Sequence, residues 1–362
     1  MKKRRTPMRE RLDQTIASIR PADLSLRERG QAHLDNLTKP RGSLGRLEEI
    51  ALSLWLVGQG EPPRADPCRV YTVAGDHGVV AEGVSLFPQE VTRQMVLNFL
   101  SGGAGINALC RASGIGLKVV DAGSCGGRYP EHPDLIQRKI APGTANFAHG
   151  PAMSEEQCLA ALHLGLDLAN DCAAEGIRAV GTGDMGIGNT TPSTALYCAY
   201  LGFSPEEVTG PGTGLDAAAV SKKAVVIRRA IEVNHTALDK GPLAVLAALG
   251  GFEIATLSGL ILGCAARGIP VAVDGFISTA AYVAALRLCP TAADYCFLSH
   301  ASAEPGHARI CQKLGARPLF DLGMRLGEGT GAALALHLMR CACAMWNEMA
   351  SFADAGVSEA ET

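Results

Sequence analysis

Five short segments are almost continuously apolar and end on a charged residue, a histidine or a glycine turn: VYTVAGDH (70–77), LKVVDAG (117–123), IRAVGTGD (177–184), IPVAVDG (269–275) and DYCFLSH (294–300). Such runs are the pattern of strands buried on both faces of a parallel sheet. Between them the apolar positions switch to helical spacing, at 90–112, 154–175, 216–236, 278–288 and 303–315, which supplies crossovers long enough for parallel pairing. The pattern predicts an α/β fold with an open, doubly wound parallel sheet. Ligands of such sheets bind beyond the carboxyl ends of the strands, so Asp76, His77, Asp121, Asp184, Asp274, Ser299 and His300 are expected to face one crevice.

The chain ends read differently. Helical periodicity over 25–36 leads into the turn TKPRGS and then into a helix expected to be capped by Ser43 and to run through LGRLEEIALSLWLVG. Another helix follows Gly331, and the polar residues 352–362 are expected to fray. Together the ends predict a small helical domain, residues 1–63 and 326–362, beside an α/β core over 64–325. The basic start MKKRRTPMRERLDQ lacks a following apolar region and is read as neither signal nor anchor. The longest uncharged apolar stretch, 254–266, falls short of the roughly 20 residues of a membrane span.

Composition narrows the class. The 362 residues are 47% hydrophobic and 19% charged, enough for a core that needs no staple. A formal net charge of −3 removes the basic excess of a general nucleic-acid binder, so any anionic ligand must be held by local geometry. With 42 glycines and only 5% aromatics, the chain favours tight loops and close backbone approach. Its 12 scattered cysteines, many in apolar segments, read as reduced cytoplasmic thiols. Cys341 and Cys343 sit two apart in a helical pattern and point to different faces, so no metal site is expected.

Three glycine loops carry the candidate chemistry. GTGDMGIGNTTPSTA (181–195) contains a literal G-x-G-x-x-G after a strand, then Asn189, Thr190 and Thr191, with Pro192 at an expected first helical position. It suits a structural turn, a dinucleotide or another phosphate ligand held at a helix amino terminus. GPGTGLD (210–216) opens a helix that places Lys222 and Lys223 two turns in. In MRLGEGTGAALAL (324–336), Glu328 stands at the head of an apolar helix, either as a first-turn acid stabilised by the helix dipole or as a functional base. His77 and His300 read as hydrogen-bonded strand-end residues. The chain lacks G-x-S-x-G and G-x-x-x-x-G-K-[ST], so nucleophile-elbow hydrolases and P-loop enzymes fall away.

Taken together, LTKPRGSLGRLEE, AGDHGVVAEGVSLFPQEVTRQMVLNFLSGGAGIN, GTGDMGIGNTTPSTA, GGFEIATLSGLILGCAARGIPVAVDGF, SHASAEPGH and MRLGEGTGAALAL resemble the nicotinate-nucleotide:dimethylbenzimidazole phosphoribosyltransferase family of cobalamin biosynthesis, in order over residues 30–347. The resemblance implies a Rossmann-like core with a small helical domain from both chain ends, a homodimer, and no cofactor. It implies transfer of phosphoribosyl from nicotinate mononucleotide to a lower-ligand base, with release of nicotinate. Glu328 then matches the family's catalytic Glu, and Asp184 falls in the loop beside the ribose. Gly183, Gly186, Asn189, Thr190, Thr191, Gly212 and Lys223 would hold the phosphoribosyl group, while Phe87, Met95, Met185 and Leu326 would line the acceptor pocket.

The chain departs from the family pattern at four positions. Asp184 stands where some members have Glu. Phe87 and Met95 replace the polar Ser and Gln of some members, which makes the pocket drier and leaves benzimidazole, adenine or a phenol as alternative acceptors to 5,6-dimethylbenzimidazole. Arg41 stands where a second Pro is frequent. The rival readings are an NAD-dependent oxidoreductase, resting on the G-x-G-x-x-G with Glu206 and Glu207 some twenty residues on, and a partner-dependent paralogous subunit.

Overall fold

The computed structural model describes residues 6–212 and 214–358. Six strands form one sheet: β1 (Cys68–Gly75), β2 (Gly116–Gly123), β3 (Leu135–Gln137), β4 (Ala179–Met185), β5 (Val271–Val273) and β6 (Cys296–Leu298). Every pair is parallel, in the order β3-β2-β1-β4-β5-β6. This is the doubly wound order, and its direction reverses between β1 and β4.

Alternation along β1 divides the core into two. Tyr71 and Val73 face a layer that contains the helices Glu155–Ala174, Thr190–Leu201, Phe252–Ala265 and Phe276–Leu288. Val70 and Ala74 face the helices Arg46–Val57, Gly105–Ser113 and Thr330–Glu348. Where Glu155–Ala174 crosses Phe252–Ala265, a Cβ on Gly165 would lie 2.0 Å from the Thr256 carbonyl oxygen, and one on Gly259 2.0 Å from that of Leu162. The glycines that interrupt the apolar stretch 254–266 therefore let two backbones touch. Among the described residues no helix is long and apolar enough to cross a membrane.

The two chain ends meet. Trp55 packs 5.3 Å from Trp346, the Thr38 amide donates to the Ala350 carbonyl at 3.0 Å, and the Phe352 amide to the Asn36 carbonyl at 3.1 Å. The Thr330–Glu348 helix also lies on the sheet, where a Cβ on Gly181 would come within 2.9 Å of Val70 and 3.1 Å of Ala332.

Several local expectations change. The edge strand β3 has no counterpart in the sequence pattern, because three half-buried residues in a polar context leave no apolar run. The single helix over 90–112 is two, Glu90–Leu100 and Gly105–Ser113, broken where Gly102 takes φ +75°. Ser43 caps nothing: Arg46–Val57 starts at Gly45, and Glu48 reaches back to accept from the Leu44 amide at 2.9 Å while pairing with Lys39 at 2.9 Å, both side chains buried. Pro192 is the third residue of its helix, not the first. Within the expected frayed end, Phe352–Ala355 form a short helix capped by Ser351, and residues 359–362 lie outside the described part. The basic start at 1–5 also lies outside it. Cys341 is exposed and Cys343 buried, as their spacing predicts, and all twelve cysteines are unpaired.

Candidate active site

A cavity of about 370 Å³ opens at the carboxyl ends of β4, β5 and β6, with the segment after β1 as one wall. Its lining includes the apolar Phe87, Val91, Met95, Met185 and Leu326 together with Asn189, Thr190, Gly212, Ser302, Glu304 and Arg325. Val91 and Met95 are four apart on the helix Glu90–Leu100 and so share its face.

Glu328 lines the same cavity, on a backbone turn few residues adopt. Gly327, Glu328 and Gly329 take φ of +81°, +64° and +94° in succession. For a residue with a Cβ this conformation costs on the order of 1–3 kcal/mol, and such strain collects at functional sites. The turn lifts Glu328 off its own helix, which begins at Thr330, so it is not the first-turn acid that the sequence allowed. Its Oε2 instead accepts from the Ile106 amide at 3.2 Å, at the amino terminus of the helix Gly105–Ser113. Burial pushes the Glu328 carboxyl up, the Ile106 hydrogen bond pulls it down, and the Asp274 charge pushes it up again, for a net rise.

The scaffold beneath that turn is made of strand ends. The Thr72 hydroxyl donates to the Glu328 carbonyl at 2.6 Å. Asp274, just past β5, accepts from the Gly329 and Ala332 amides at 3.1 Å each. A Cβ on Gly183 would lie 2.4 Å from the Glu328 carbonyl oxygen, and one on Gly186 2.2 Å from that of Gly75. The second and third glycines of the G-x-G-x-x-G motif are thus required by close packing of backbone on backbone, while Gly181 makes room for side chains of the Thr330–Glu348 helix. Glu206 pairs with Arg228 at the surface and Glu207 accepts from the Ser204 amide, so the dinucleotide reading has no acidic partner facing the loop.

Asp184 is buried at the end of β4. One oxygen accepts from the Asn189 side-chain amide at 2.9 Å, and the other has no partner. Burial, then the charges of Asp274 and Glu253, raise its carboxyl well above the usual range. Asn189 therefore spends its side chain on Asp184 and not on capping the helix Thr190–Leu201.

The buried Lys223 ammonium donates to Thr190 Oγ1 at 2.6 Å and to the Gly210 carbonyl at 3.3 Å. Burial lowers its pKa to about 8 against the pull of Glu304. Glu304 accepts from the Gly212 amide at 3.0 Å, so that amide is already taken. Arg325 reaches the Gly212 carbonyl at 3.4 Å.

Of the residues singled out from the sequence, Phe87, Met95, Asp184, Met185, Gly186, Asn189, Thr190, Gly212, Leu326 and Glu328 line the cavity. Gly183, Thr191 and Lys223 do not: the first lies beneath the Glu328 turn, Thr191 is fully buried in its helix, and Lys223 stands behind Thr190. The expected crevice of strand-end acids also shrinks. Asp76 accepts from Thr92 and the Cys125 amide, Asp121 from the Ser124 amide, and His77 is locked 2.7 Å from Glu253, whose charge raises the imidazole pKa against its burial.

His300 does face the cavity, with a buried, unpartnered Nε2. That was expected of His300, whereas Val91, Ser302, Glu304 and Arg325 were missed as cavity residues; the SHASAEPGH and MRLGEG motifs contained three of them, but only contact across the chain reveals it. His307 organises that loop, accepting from the Ser302 amide at 3.0 Å; burial and the neighbouring His300 push its pKa down to about 4, so it is neutral. Among the described residues no His, Cys, Asp and Glu converge as metal ligands.

Residues 19–357 match the family model described as Phosphoribosyltransferase. A nicotinate-nucleotide–dimethylbenzimidazole phosphoribosyltransferase of Nitratidesulfovibrio vulgaris strain DP4 is 64% identical over 98% of this chain and 100% of its own length. The chain belongs to this phosphoribosyltransferase family. A Chlorobaculum tepidum protein of the same name is 52% identical over 97% of this chain and 99% of its own. The crystal structure of the protein of that name from Thermus thermophilus superposes with a TM-score of 0.87 at 44% identity, covering 93% of this chain and 100% of that one. The phosphoribosyltransferase fold thus coincides with the doubly wound sheet, and the oxidoreductase reading is set aside.

Proposed function

We propose that the protein transfers the phosphoribosyl group of nicotinate mononucleotide to 5,6-dimethylbenzimidazole, releasing nicotinate and forming α-ribazole 5′-phosphate for the nucleotide loop of cobalamin. The observation that carries this reading is the Glu328 carboxylate, on its left-handed turn, in a cavity lined by both apolar and polar side chains. In the donor the pyridine nitrogen is already cationic, so nicotinate departs with the C1′–N electron pair and needs no acid. One benzimidazole nitrogen attacks C1′ while the other must lose its proton, and Glu328 accepts it. Attack opposite the leaving group inverts the anomeric centre from β to α, which places donor and acceptor on opposite sides of the ribose. Asp184, with its free oxygen beside Gly327, acts next to the ribose.

Thr190, Asn189, Gly186 and Arg325 hold the phosphoribosyl group where Gly212 lines the cavity, with Lys223 charging the Thr190 end from behind and Gly183 and Thr191 fixing the loop. Phe87, Val91, Met95, Met185 and Leu326 offer no strong hydrogen-bonding group, which favours a dimethylated benzimidazole over adenine or a phenol. The exposed apolar residues Leu86, Phe87, Leu322 and Leu326 support a homodimer that covers them, and twelve unpaired cysteines suit a cytoplasmic enzyme.

Incubating the isolated protein with nicotinate mononucleotide and each of dimethylbenzimidazole, benzimidazole, adenine and phenol, with chromatography of nicotinate and ribotide, tests the reaction. Dimethylbenzimidazole is expected to be the best acceptor, and Glu328→Gln to lower kcat about 10²- to 10⁴-fold. Absence of ribotide with every base would sink the autonomous enzyme in favour of a partner-dependent subunit.

A further inference from the structure

The Glu328 turn is held from outside its own segment. Asp274 is fully buried and grips the turn at two amides, Oδ2 to Gly329 and Oδ1 to Ala332, at 3.1 Å each. Its own amide donates to Thr182 Oγ1 at 3.0 Å, which ties the grip to β4. Thr72 holds the Glu328 carbonyl from β1. Three successive left-handed residues, one of them not glycine, persist only where neighbours over-determine them. We infer that Asp274 is a positioning residue for the transferase: it holds the Gly327–Gly329 turn so that the Glu328 carboxylate stays in the cavity, with Thr72 as the second anchor. This rests on the reading of Glu328 as the base.

The charges around the pair are few. Asp274 is faced by His300, whose Nδ1 lies 3.8 Å from Oδ1, and by Asp184 and Glu328. Glu304 and Arg325 line the same cavity. Burial first, and the Asp274 charge after it, hold the Glu328 pKa up, so Asp274 both places the base and adds to its basicity.

The experiment compares Asp274→Asn, Thr72→Val and Glu328→Gln in the full chain by steady-state kinetics with nicotinate mononucleotide and dimethylbenzimidazole across pH, with circular dichroism for folding. In Asp274→Asn one amide faces a donor instead of an acceptor, and kcat is expected to fall about 100-fold, while KM for both substrates moves less than about threefold. The acid limb of kcat should also move to lower pH, because a neighbouring negative charge has gone; a purely structural residue would not move it. A folded Asp274→Asn enzyme with kcat within about twofold of the parent and an unmoved limb overturns the inference. If that variant does not fold, Thr72→Val decides: a loss of about tenfold in kcat at unchanged KM supports the inference, and an unchanged kcat overturns it. Activity retained in Glu328→Gln would sink the reading of Glu328 itself, whereas an inactive Glu328→Gln beside a normal Asp274→Asn sinks only the role of Asp274.

Discussion

Burial disfavours the charged forms of Glu328, Asp184 and Lys223, and each leaves a measurable trace. Activity should fall as pH drops through the raised Glu328 pKa, so the acid limb of kcat is expected above the ordinary carboxylate range; a limb at or below that range would contradict the assignment. Asp184 carries the same sign into stability. Its folded pKa lies well above the ordinary value of 3.8, so the folded state binds the proton more tightly than the unfolded one, and this group makes stability fall as pH rises between the two values. Asp184→Asn keeps an acceptor for Asn189 and should raise the melting temperature at neutral pH, with the gain shrinking as pH falls towards 3.8. For Lys223 the charge is lost as pH rises through about 8, so KM for nicotinate mononucleotide should increase above that pH. Lys223→Met should raise KM at all pH values and abolish the step, which initial rates across pH would show.

At the scale of elements, the Gly327–Gly329 turn depends on how closely it lies on β4. Gly183→Ala places a Cβ 2.4 Å from the Glu328 carbonyl oxygen, a clash with backbone that only a shift of the turn relieves. Overpacking of this kind costs about 1–3 kcal/mol, and a displaced carboxylate costs far more in rate, so a folded, modestly destabilised protein with kcat down about 100-fold is expected. Melting curves beside rates would separate the two effects. The strands and most helices were legible because buried parallel strands leave continuous apolar runs and their crossovers leave a helical period. What escaped had a local cause. The strand Leu135–Gln137 is too short to show a period, the break at Gly102 depends on a backbone angle, and the cap of Arg46–Val57 comes from Glu48 and Gly45 instead of the nearby serine.

Across the whole molecule, the apolar lining proposed to receive the acceptor comes from three distant stretches: Phe87 to Met95 after β1, Met185 at the end of β4, and Leu326 before the last long helix. Replacing Phe87 by Ser and Met95 by Gln together should restore hydrogen-bonding groups to that lining. The ratio of adenine to dimethylbenzimidazole use is expected to rise about tenfold or more in competition assays, and an unchanged ratio would remove the lining as the source of specificity.

The amino-acid sequence by itself determined the parallel α/β class, the helical character of both chain ends, the family resemblance and the presence of Glu328 and Asp184 in glycine loops, since these follow from local pattern and residue type. Only the tertiary structure decided what those loops do. It showed that Gly183 and Gly186 of the G-x-G-x-x-G lie against backbone and that Lys223 stands behind Thr190, donating to its hydroxyl. It also showed that His300 faces the cavity while His77 does not, and that Glu328 sits at the amino terminus of another helix. The physical reason is common to all four: a close approach, a buried charge and a borrowed amide are each set by atoms far apart along the chain, and no local period records them.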